Sequence, residues 1–374
     1  MKGMRERMTL SFVVVARNAE KTLDDLFQDL EKQTYPHDRI EIILVDSASS
    51  DKTREKMERF AREHRSFHEI KILDNPSKTL PCGWNVALTH ATGEVILRVD
   101  AHTRIPEDFI EKNMALQGEG EKICGGKVVS ILQEDSGWQQ MLMSTDNTAF
   151  CGGAADFRRK EGRQEVSTLA FAAYRREVFV AVGGYDERLA RTEDNEMHYR
   201  MKQAGYRFMM DSEIVSYRYA RSTLGRMLRQ KYLNGYWIGL TMGVCPKCFS
   251  IYHFVPFLFF LSVIATAVLA LCGFAWPFAM LAVLYGAADL YFSVKSIVEY
   301  KGKGSFFLLP VVFFLIHLCY GAGTFVGLLR MPFKIRSREK EAKLRIEAVR
   351  HALQNDAAVC ADIGFSNTVV TEDN

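Results

Sequence analysis

Charged residues are almost missing from one long stretch of the chain. Residues 251–333 contain six of the 93 acidic and basic residues of this 374-residue sequence, which as a whole balances Lys+Arg 48 against Asp+Glu 45. The net charge of +3 argues against a polycation that coats nucleic acid, and the 48% hydrophobic content argues against a disordered chain. The sequence therefore predicts a polar part joined to a membrane part, with room for two or three domains.

The sequence also lacks a long apolar run near its start and a cysteine framework. The run Leu10 to Ala16 is short for a signal peptide or a span, so we expect the N-terminal part to stay in the cytoplasm. The eight cysteines are scattered, which favours reduced thiols over disulfides. Cys245 and Cys248 have the spacing of half a zinc site, but no second pair follows at a matching distance, so ordinary thiols are favoured.

Short β-branched runs alternate with helical periodicity in the first hundred residues. Strands are predicted at Leu10–Ala16, Ile40–Val45, Ile70–Leu73 and Val95–Val99, with a helix after each of the first three. This alternation is typical of an α/β fold with a mainly parallel sheet covered by helices on both faces. Such sheets bind ligands at the carboxyl ends of their strands.

The rest of the chain divides by composition. Residues 123–220 form a second, mixed segment that completes the polar domain. Arg221 to Val244 is basic and amphipathic with Tyr and Trp, which predicts a helix in the membrane interface, with a solvated surface helix as the alternative. The predicted organisation is a cytoplasmic domain, an amphipathic interface segment, a transmembrane region and a basic cytoplasmic tail, at residues 1–220, 221–250, 251–330 and 331–374.

Three apolar stretches are each long enough to cross a bilayer: Phe254–Cys272, Pro277–Val298 and Phe306–Leu329. The second is the weakest because it contains Asp289, which needs a partner such as Lys295 or a wet cavity. Three full crossings would also place the basic tail outside, against the positive-inside tendency. A re-entrant or interfacial second segment would resolve the conflict, so the transmembrane region is expected to contain two to three spans.

Two acidic positions at predicted strand ends are candidates for chemistry. Asp100 and His102 follow the fourth strand, where both side chains can face one Mn²⁺ or Mg²⁺ ion; the alternative is a capped loop. Asp46 ends the second strand before small hydroxyl residues, which suits a nucleobase and ribose, with N-capping as the alternative. Asp51 is favoured as that cap.

The pair Glu193 and Asp194 supplies acidic groups from the second segment. A carboxylate across a cleft from a metal-bound diphosphate can take the proton from an attacking hydroxyl. The alternative is an ordinary helix N-terminus, where the dipole favours acidic residues.

Five motifs in order over about 200 residues resemble those of family 2 glycosyltransferases. They are Val13-Val-Val-Ala-Arg-Asn-Ala-Glu20, Ile42-Ile-Leu-Val-Asp-Ser-Ala-Ser-Ser-Asp-Lys-Thr53, Gly93-Glu-Val-Ile-Leu-Arg-Val-Asp-Ala-His102, Arg175-Arg-Glu-Val-Phe-Val-Ala-Val-Gly-Gly-Tyr-Asp-Glu187 and Thr192-Glu-Asp194. The membrane-anchored succinoglycan-type glucosyltransferases, with an Asp-Ala-His variant, look similar.

The resemblance implies a GT-A domain that transfers a sugar from a nucleotide sugar with inversion at the anomeric carbon. It implies a donor site, a metal site, a general base and an acceptor side. Carried over by position, these are Ala16, Glu20, Asp46, Lys78 and Asp100 for the donor, Asp100 and His102 for Mn²⁺ or Mg²⁺, Asp194 for the base, and Glu193 with Gly153 for the acceptor side. Gly183 and Gly184 fall where the family shapes its clefts, with turn glycines as the alternative.

The sequence departs from the family pattern in two places. His102 replaces the usual second metal-site Asp, and the Gln-x-x-Arg-Trp signature of processive synthases is absent. The expected reaction is therefore addition of a single sugar, from a UDP-sugar, to a polyprenyl-linked glycan of an exopolysaccharide or similar envelope polymer.

Alternatives to that reaction are transfer directly onto polyprenyl phosphate and a non-catalytic membrane scaffold. A nucleotidyltransferase is a further alternative, but it would need a Gly-rich phosphate loop near the N-terminus, and the sequence there has none. Membrane lipids are an expected partner and nucleic acid is not. The expected location is the cell inner membrane, multi-pass, with the catalytic domain in the cytoplasm.

Overall fold

The computed structural model describes residues 8–151, 158, 160–335 and 338–355. The chain divides into two compact units. Among the described residues, the first unit comprises 8–129, 160–218 and 340–355, and the second comprises 130–151, 158, 219–335 and 338–339. The first unit therefore includes a helix that follows most of the second unit in sequence.

A nine-stranded mixed sheet forms the centre of the first unit. Its strands are β1 Leu10–Ala16, β2 Ile40–Asp46, β3 Glu69–Asp74, β4 Val95–Asp100, β5 Thr103–Arg104, β6 Ile123–Ile131, β7 Arg163–Val166, β8 Ala173–Arg175 and β9 Phe208–Tyr219. The order is β3-β2-β1-β4-β8-β6-β9-β5, with β7 paired to β9. The pairs among β1 to β4 are parallel, whereas β8 pairs antiparallel to β4 and to β6.

The four predicted strands are confirmed, and each structural strand includes the predicted range. Every residue of β1 and β2 is buried, as expected for parallel strands covered on both faces. The predicted parallel arrangement is found in the half of the sheet formed by β1 to β4. The mixed segment from residue 123 supplies most of the antiparallel half, to which β5 also belongs, and these strands are shorter or irregularly buried.

Helices flank the sheet, and they include the three predicted between its first four strands. Those of the first unit are α1 Leu23–Glu31, α2 Thr53–Glu63, α3 Leu80–His90, α4 Phe109–Gly118, α6 Arg176–Val182, α7 Glu193–Gln203 and α12 Glu339–Gln354, which extends from the last residue of the second unit. The i, i+3, i+4, i+7 positions of α1 are buried as the periodicity predicts. Phe27 of α1 stacks on Phe60 of α2, with ring centroids 4.1 Å apart.

Helix α12 docks on the glycine pair that follows α6. The Gly184 amide donates to the Ile346 carbonyl at 3.1 Å, and Gly183 has a φ of +80°. A Cβ on Gly183 would lie 2.7 Å from the Ile346 side chain, and one on Gly184 would lie 2.8 Å from Val349. Both glycines therefore allow close approach of α12, which supports the alternative that they serve packing and a turn.

The second unit contains α5 Gly137–Asn147, α8 Leu224–Thr241, α9 Val255–Leu271, α10 Trp276–Glu299 and α11 Leu309–Lys334. Three helical segments in it are long and apolar enough to cross a membrane, namely Ile251–Leu271, Trp276–Glu299 and Gly304–Lys334. The fraction of each apolar window that is buried in the protein is 0%, 11% and 44%, so the third segment differs from the other two.

Glycines let α8 and α11 pack backbone to backbone and in parallel. Gly323 and Gly327 of α11 face the backbone carbonyls of Tyr232 and Tyr236 on α8, where any added Cβ would clash. Gly239 of α8 faces the Thr324 carbonyl. The basic helix predicted for the interface is thus present, and one face of it is buried against α11.

Two charged residues of the second unit have partners that the sequence did not indicate. Lys231, one of the basic residues of α8, is buried and lies 2.7 Å from the Asp146 carboxylate and 2.8 Å from the Cys151 carbonyl. Asp289 is also buried, and it accepts a hydrogen bond from Ser293, one turn later, at 3.2 Å. The expectation that Lys295 is its partner is not met.

Candidate functional site

The carboxyl ends of β1, β2 and β4 meet at one edge of the sheet. Ala16 lies in register with Asp46, and Val15 lies in register with both Val45 and Asp100. Three of the predicted donor-site residues therefore end neighbouring parallel strands, at the place where such sheets bind ligands.

Two loops at this edge are tied together by hydrogen bonds. The amide of Lys52 donates to the Glu20 carboxylate at 3.1 Å, and the amide of Glu20 donates to Asp51 at 3.2 Å. Asp51 also accepts from the amide and hydroxyl of Thr53 at 3.0 and 2.6 Å, and these bonds lower the pKa of Asp51 against the opposing effect of desolvation. Asp51 thus orders the loop, and Glu20 joins the two loops. The N-cap position of α2 is held by Lys52 and not by Asp51, which corrects the expectation that Asp51 is the cap.

Asp46 and Lys78 occupy turns with constrained backbones. Asp46 is buried and accepts from the Ser49 amide at 3.3 Å, across Ala48, whose φ is +51°. Lys78 has a φ of +62° and immediately precedes Thr79, the N-cap of α3. A positive φ at a non-glycine residue is uncommon and is concentrated in turns and functional loops.

Asp100 and His102 flank the short turn between β4 and β5. Both side chains are partly exposed, and no described protein group donates a hydrogen bond to either one. Among the described residues, no group of three or more His, Cys, Asp or Glu side chains is arranged around a metal position. One carboxylate and one imidazole fit Mn²⁺ or Mg²⁺ when a diphosphate supplies the remaining oxygen ligands.

Asp194 forms a bidentate ion pair with Arg98. It lies in the first turn of α7, and its two carboxylate oxygens accept from Nη1 and Nη2 of Arg98, the second at 3.0 Å. Desolvation alone would raise the pKa of Asp194, but the Arg98 guanidinium outweighs it and lowers that pKa. The Asp194 side chain keeps 36% exposure, so the ionised carboxylate remains accessible.

Glu193 has the opposite environment from its neighbour. It is 3% exposed, and its Oε2 atom has no hydrogen-bond partner among the described residues. Desolvation, with repulsion from Asp194 and a smaller contribution from Asp100, raises its pKa to about 8. The pair therefore divides into one ionised and one protonated carboxyl group at neutral pH, as functional carboxyl pairs do.

A neutral histidine lies deeper in the same region. Desolvation lowers the pKa of His198 to about 4, and its ring nitrogens contact the hydroxyls of Thr168 and Tyr174 at 2.8 and 2.9 Å. His198 is 3% exposed, so it supports the site from within the core.

Arg98 is the residue that sequence reasoning missed. It stands between apolar residues of the strand Val95–Asp100, and it is 7% exposed. A charged residue within a buried strand requires a counter-ion, so the signal was present, although nothing local identified Asp194 as the partner. Gly153, expected on the acceptor side, lies outside the described residues.

Comparison with known proteins agrees with this geometry. Residues 11–183 match the family model described as Glycosyl transferase family 2. This segment is therefore a family 2 glycosyltransferase domain, and the protein is a glycosyltransferase.

Two curated relatives and one solved structure are similar over much of the chain. A dolichyl N-acetyl-alpha-D-glucosaminyl phosphate 3-beta-D-2,3-diacetamido-2,3-dideoxy-beta-D-glucuronosyltransferase of Methanococcus voltae is 23% identical over 86% of this chain and 97% of its own. Succinoglycan biosynthesis protein ExoA of Rhizobium meliloti (strain 1021) is 28% identical over 61% of this chain and 68% of its own.

The solved structure is the mannosyltransferase PcManGT from Pyrobaculum calidifontis in complex with GDP-Man and Mn²⁺. It has a TM-score of 0.52 and 18% identity, and the match covers 89% of each chain. This likeness shows that the fold is GT-A-like, as predicted.

Proposed function

We propose that this glycosyltransferase moves a sugar from a UDP-sugar to a polyprenyl-linked glycan, with inversion, in the synthesis of an envelope polysaccharide. The observation that carries the proposal is the ionised, accessible Asp194 beside the strand-end carboxylates. Two relatives support the acceptor class, since one is named for a dolichyl phosphate sugar and the other for succinoglycan biosynthesis. The first of these names favours a lipid-linked sugar over bare polyprenyl phosphate as acceptor.

The site residues have the following roles in this proposal. Ala16, Glu20, Asp46 and Lys78 border the nucleoside, and Asp100 lies on the ribose and phosphate side. Asp194 accepts the proton from the acceptor hydroxyl while that oxygen forms a bond to the anomeric carbon. The bond from the anomeric carbon to the donor diphosphate breaks, and the nucleoside diphosphate leaves with the electron pair. Glu193 and Gly153 belong to the acceptor side.

Asp100 and His102 would hold a divalent cation against the donor diphosphate. When bound, Mn²⁺ or Mg²⁺ stabilises the negative charge that develops on the leaving diphosphate.

The reaction is tested with membranes that contain the protein, a panel of nucleotide sugars and extracted polyprenyl glycans, with products identified by mass. The expected result is addition of one hexose to a lipid-linked glycan, lost in excess chelator and reduced about 10²–10⁴-fold in Asp194→Asn. If polyprenyl phosphate were the only acceptor that gained the mass of a sugar, the reaction would be transfer directly onto polyprenyl phosphate. Wild-type turnover in Asp194→Asn would refute the assignment of Asp194 as general base. If the loss occurred in Glu193→Gln instead, the general base would be Glu193.

The position of α12 supports a proposal for the membrane topology. Residues 340–355 belong to the same compact unit as the sheet, and one compact unit is expected on one side of a membrane. We therefore infer an even number of complete crossings between Arg218 and Lys340. We infer that α9 and α10 cross as a hairpin and that α11, the most buried of the three helices, does not. The sequence alone favours α10, the second apolar segment, as the helix that does not cross completely.

We place the catalytic domain on the cytoplasmic face of the cell inner membrane, where Lys and Arg are retained. Cys272, exposed in the turn between α9 and α10, provides a native probe. An impermeant thiol reagent added to intact spheroplasts should label wild type but not Cys272→Ser. A Lys340→Cys reporter in the Cys272→Ser background should react only after permeabilisation, and its labelling in sealed cells would contradict the topology.

A further inference from the structure

Arg98 is enclosed on several sides within the first unit. Its guanidinium carbon lies 4.7 Å from the centroid of the Trp84 ring and 5.6 Å from that of Tyr185, and Nη1 donates to the Tyr185 hydroxyl at 3.0 Å. Trp84 and Tyr185 are themselves 2% and 1% exposed. The guanidinium therefore has little freedom to change its position.

The same guanidinium binds both oxygens of Asp194. A planar guanidinium that donates two parallel hydrogen bonds fixes the carboxylate in orientation as well as in position. Each carboxylate oxygen has a second lone pair, and the 36% exposure of the Asp194 side chain leaves it reachable by solvent or substrate. Lysine, a point charge on a flexible stem, could supply the charge but not this geometry.

The elements that carry these groups are far apart in sequence. Arg98 comes from β4, Trp84 from α3, Tyr185 from the segment after α6, and Asp194 from α7. Asn85 holds Tyr185 against Arg98, since the Asn85 side chain accepts a hydrogen bond from the Tyr185 amide at 2.7 Å and donates one to the Tyr185 carbonyl at 3.0 Å. The arrangement thus connects the strand that ends in Asp100 to the helix that begins at Glu193.

We propose that Arg98 is a positioning residue that holds the Asp194 carboxylate in the orientation needed to accept the acceptor proton. This rests on the proposed function of Asp194. Arg98 contacts neither the donor nor the acceptor in this scheme; it acts only through Asp194. Loss of a bidentate contact to a catalytic base lowers kcat, because a small misplacement of the base is costly at the transition state, and leaves donor KM nearly unchanged.

Arg98→Lys is the principal test, because it keeps a positive charge beside Asp194. The expected result is a fall in kcat of about 10–100-fold with donor KM within about twofold of wild type. Arg98→Met, which leaves Asp194 without its counter-ion, should lose more activity than Arg98→Lys. Arg104→Lys is the matched control, since Arg104 makes a bidentate pair with Asp29 at 2.6 and 2.7 Å elsewhere in the same unit. It should keep wild-type kcat.

A double-mutant cycle separates positioning from a general effect on folding. If Arg98 acts only through Asp194, Arg98→Lys should lower kcat in wild type but should not lower the residual rate of Asp194→Asn further. Additive losses in the double variant would overturn the proposal, and so would an Arg98→Lys enzyme with wild-type kcat. An active Asp194→Asn enzyme would instead refute the base itself, so the two failures are distinguishable.

Discussion

The protonated state of Glu193 predicts a specific dependence of stability on pH. The folded protein raises the pKa of Glu193 from 4.5 to about 8. The native carboxyl group thus keeps its proton up to about pH 8, whereas the unfolded chain releases it near its ordinary value. The native state binds more protons throughout this window, so the Glu193 contribution to the free energy of unfolding falls as pH rises and becomes constant above the folded pKa.

The size of this effect follows from linkage. Each pH unit within the window corresponds to at most about 1.4 kcal/mol, so the change between pH 6 and pH 7.5 is at most about 2 kcal/mol. For a unit of about 200 residues, this corresponds to a difference of at most about 4–8 °C in Tm. Glu193→Gln replaces the acid with a neutral group of similar shape and removes the dependence.

The assay is thermal unfolding of the detergent-solubilised protein between pH 5.5 and pH 8. The Tm of Glu193→Gln minus that of wild type should become more positive as pH rises, whatever its value at pH 6. Glu177→Gln, at a half-exposed carboxylate of the same unit, is the control and should run parallel to wild type. A constant difference between Glu193→Gln and wild type across the whole range would refute the argument.

Three further predictions concern the metal, the second unit and the docked helix. His102→Ala should raise the Mn²⁺ concentration for half-maximal donor hydrolysis at least about tenfold while Tm stays within about 2 °C; an unchanged metal titration would exclude His102 as a ligand. Asp146→Asn should destabilise the protein by about 3–5 kcal/mol, because it leaves buried Lys231 without its counter-ion, and Lys231→Met in that background should restore Tm. Gly183→Val should release the helix that carries Ile346, seen as faster proteolysis within residues 339–355, and wild-type cleavage rates would contradict this.

Much of the parallel half of the fold could be predicted because its signals are local. The run Val13-Val-Val-Ala16 is buried on both faces, and the spacing of Leu23, Leu26 and Phe27 defines a helix without tertiary context. The strand ends then place Asp46 and Asp100 together, since parallel strands share their carboxyl edge.

The antiparallel half and the core of the site depend on contacts between distant residues. Strands β5 and β8 contain two and three residues, which is too short for a periodic signal. The pairing of Arg98 with Asp194 joins positions 96 residues apart, and local sequence cannot specify it. Ala342, Val349 and Leu353 are buried on one face of α12, and only the structure shows what covers that face.

The docking of α12 has a consequence for the order of biosynthesis. Roughly 120 residues, including all three apolar helices, separate Arg218 from Lys340 in the chain. At a synthesis rate of about 5–20 residues per second, the ribosome adds α12 several seconds to about half a minute after the last strand of the sheet. The first unit therefore obtains its final helix only after the three apolar helices have been made, which couples completion of the unit that contains the sheet to translation of its proposed membrane anchor.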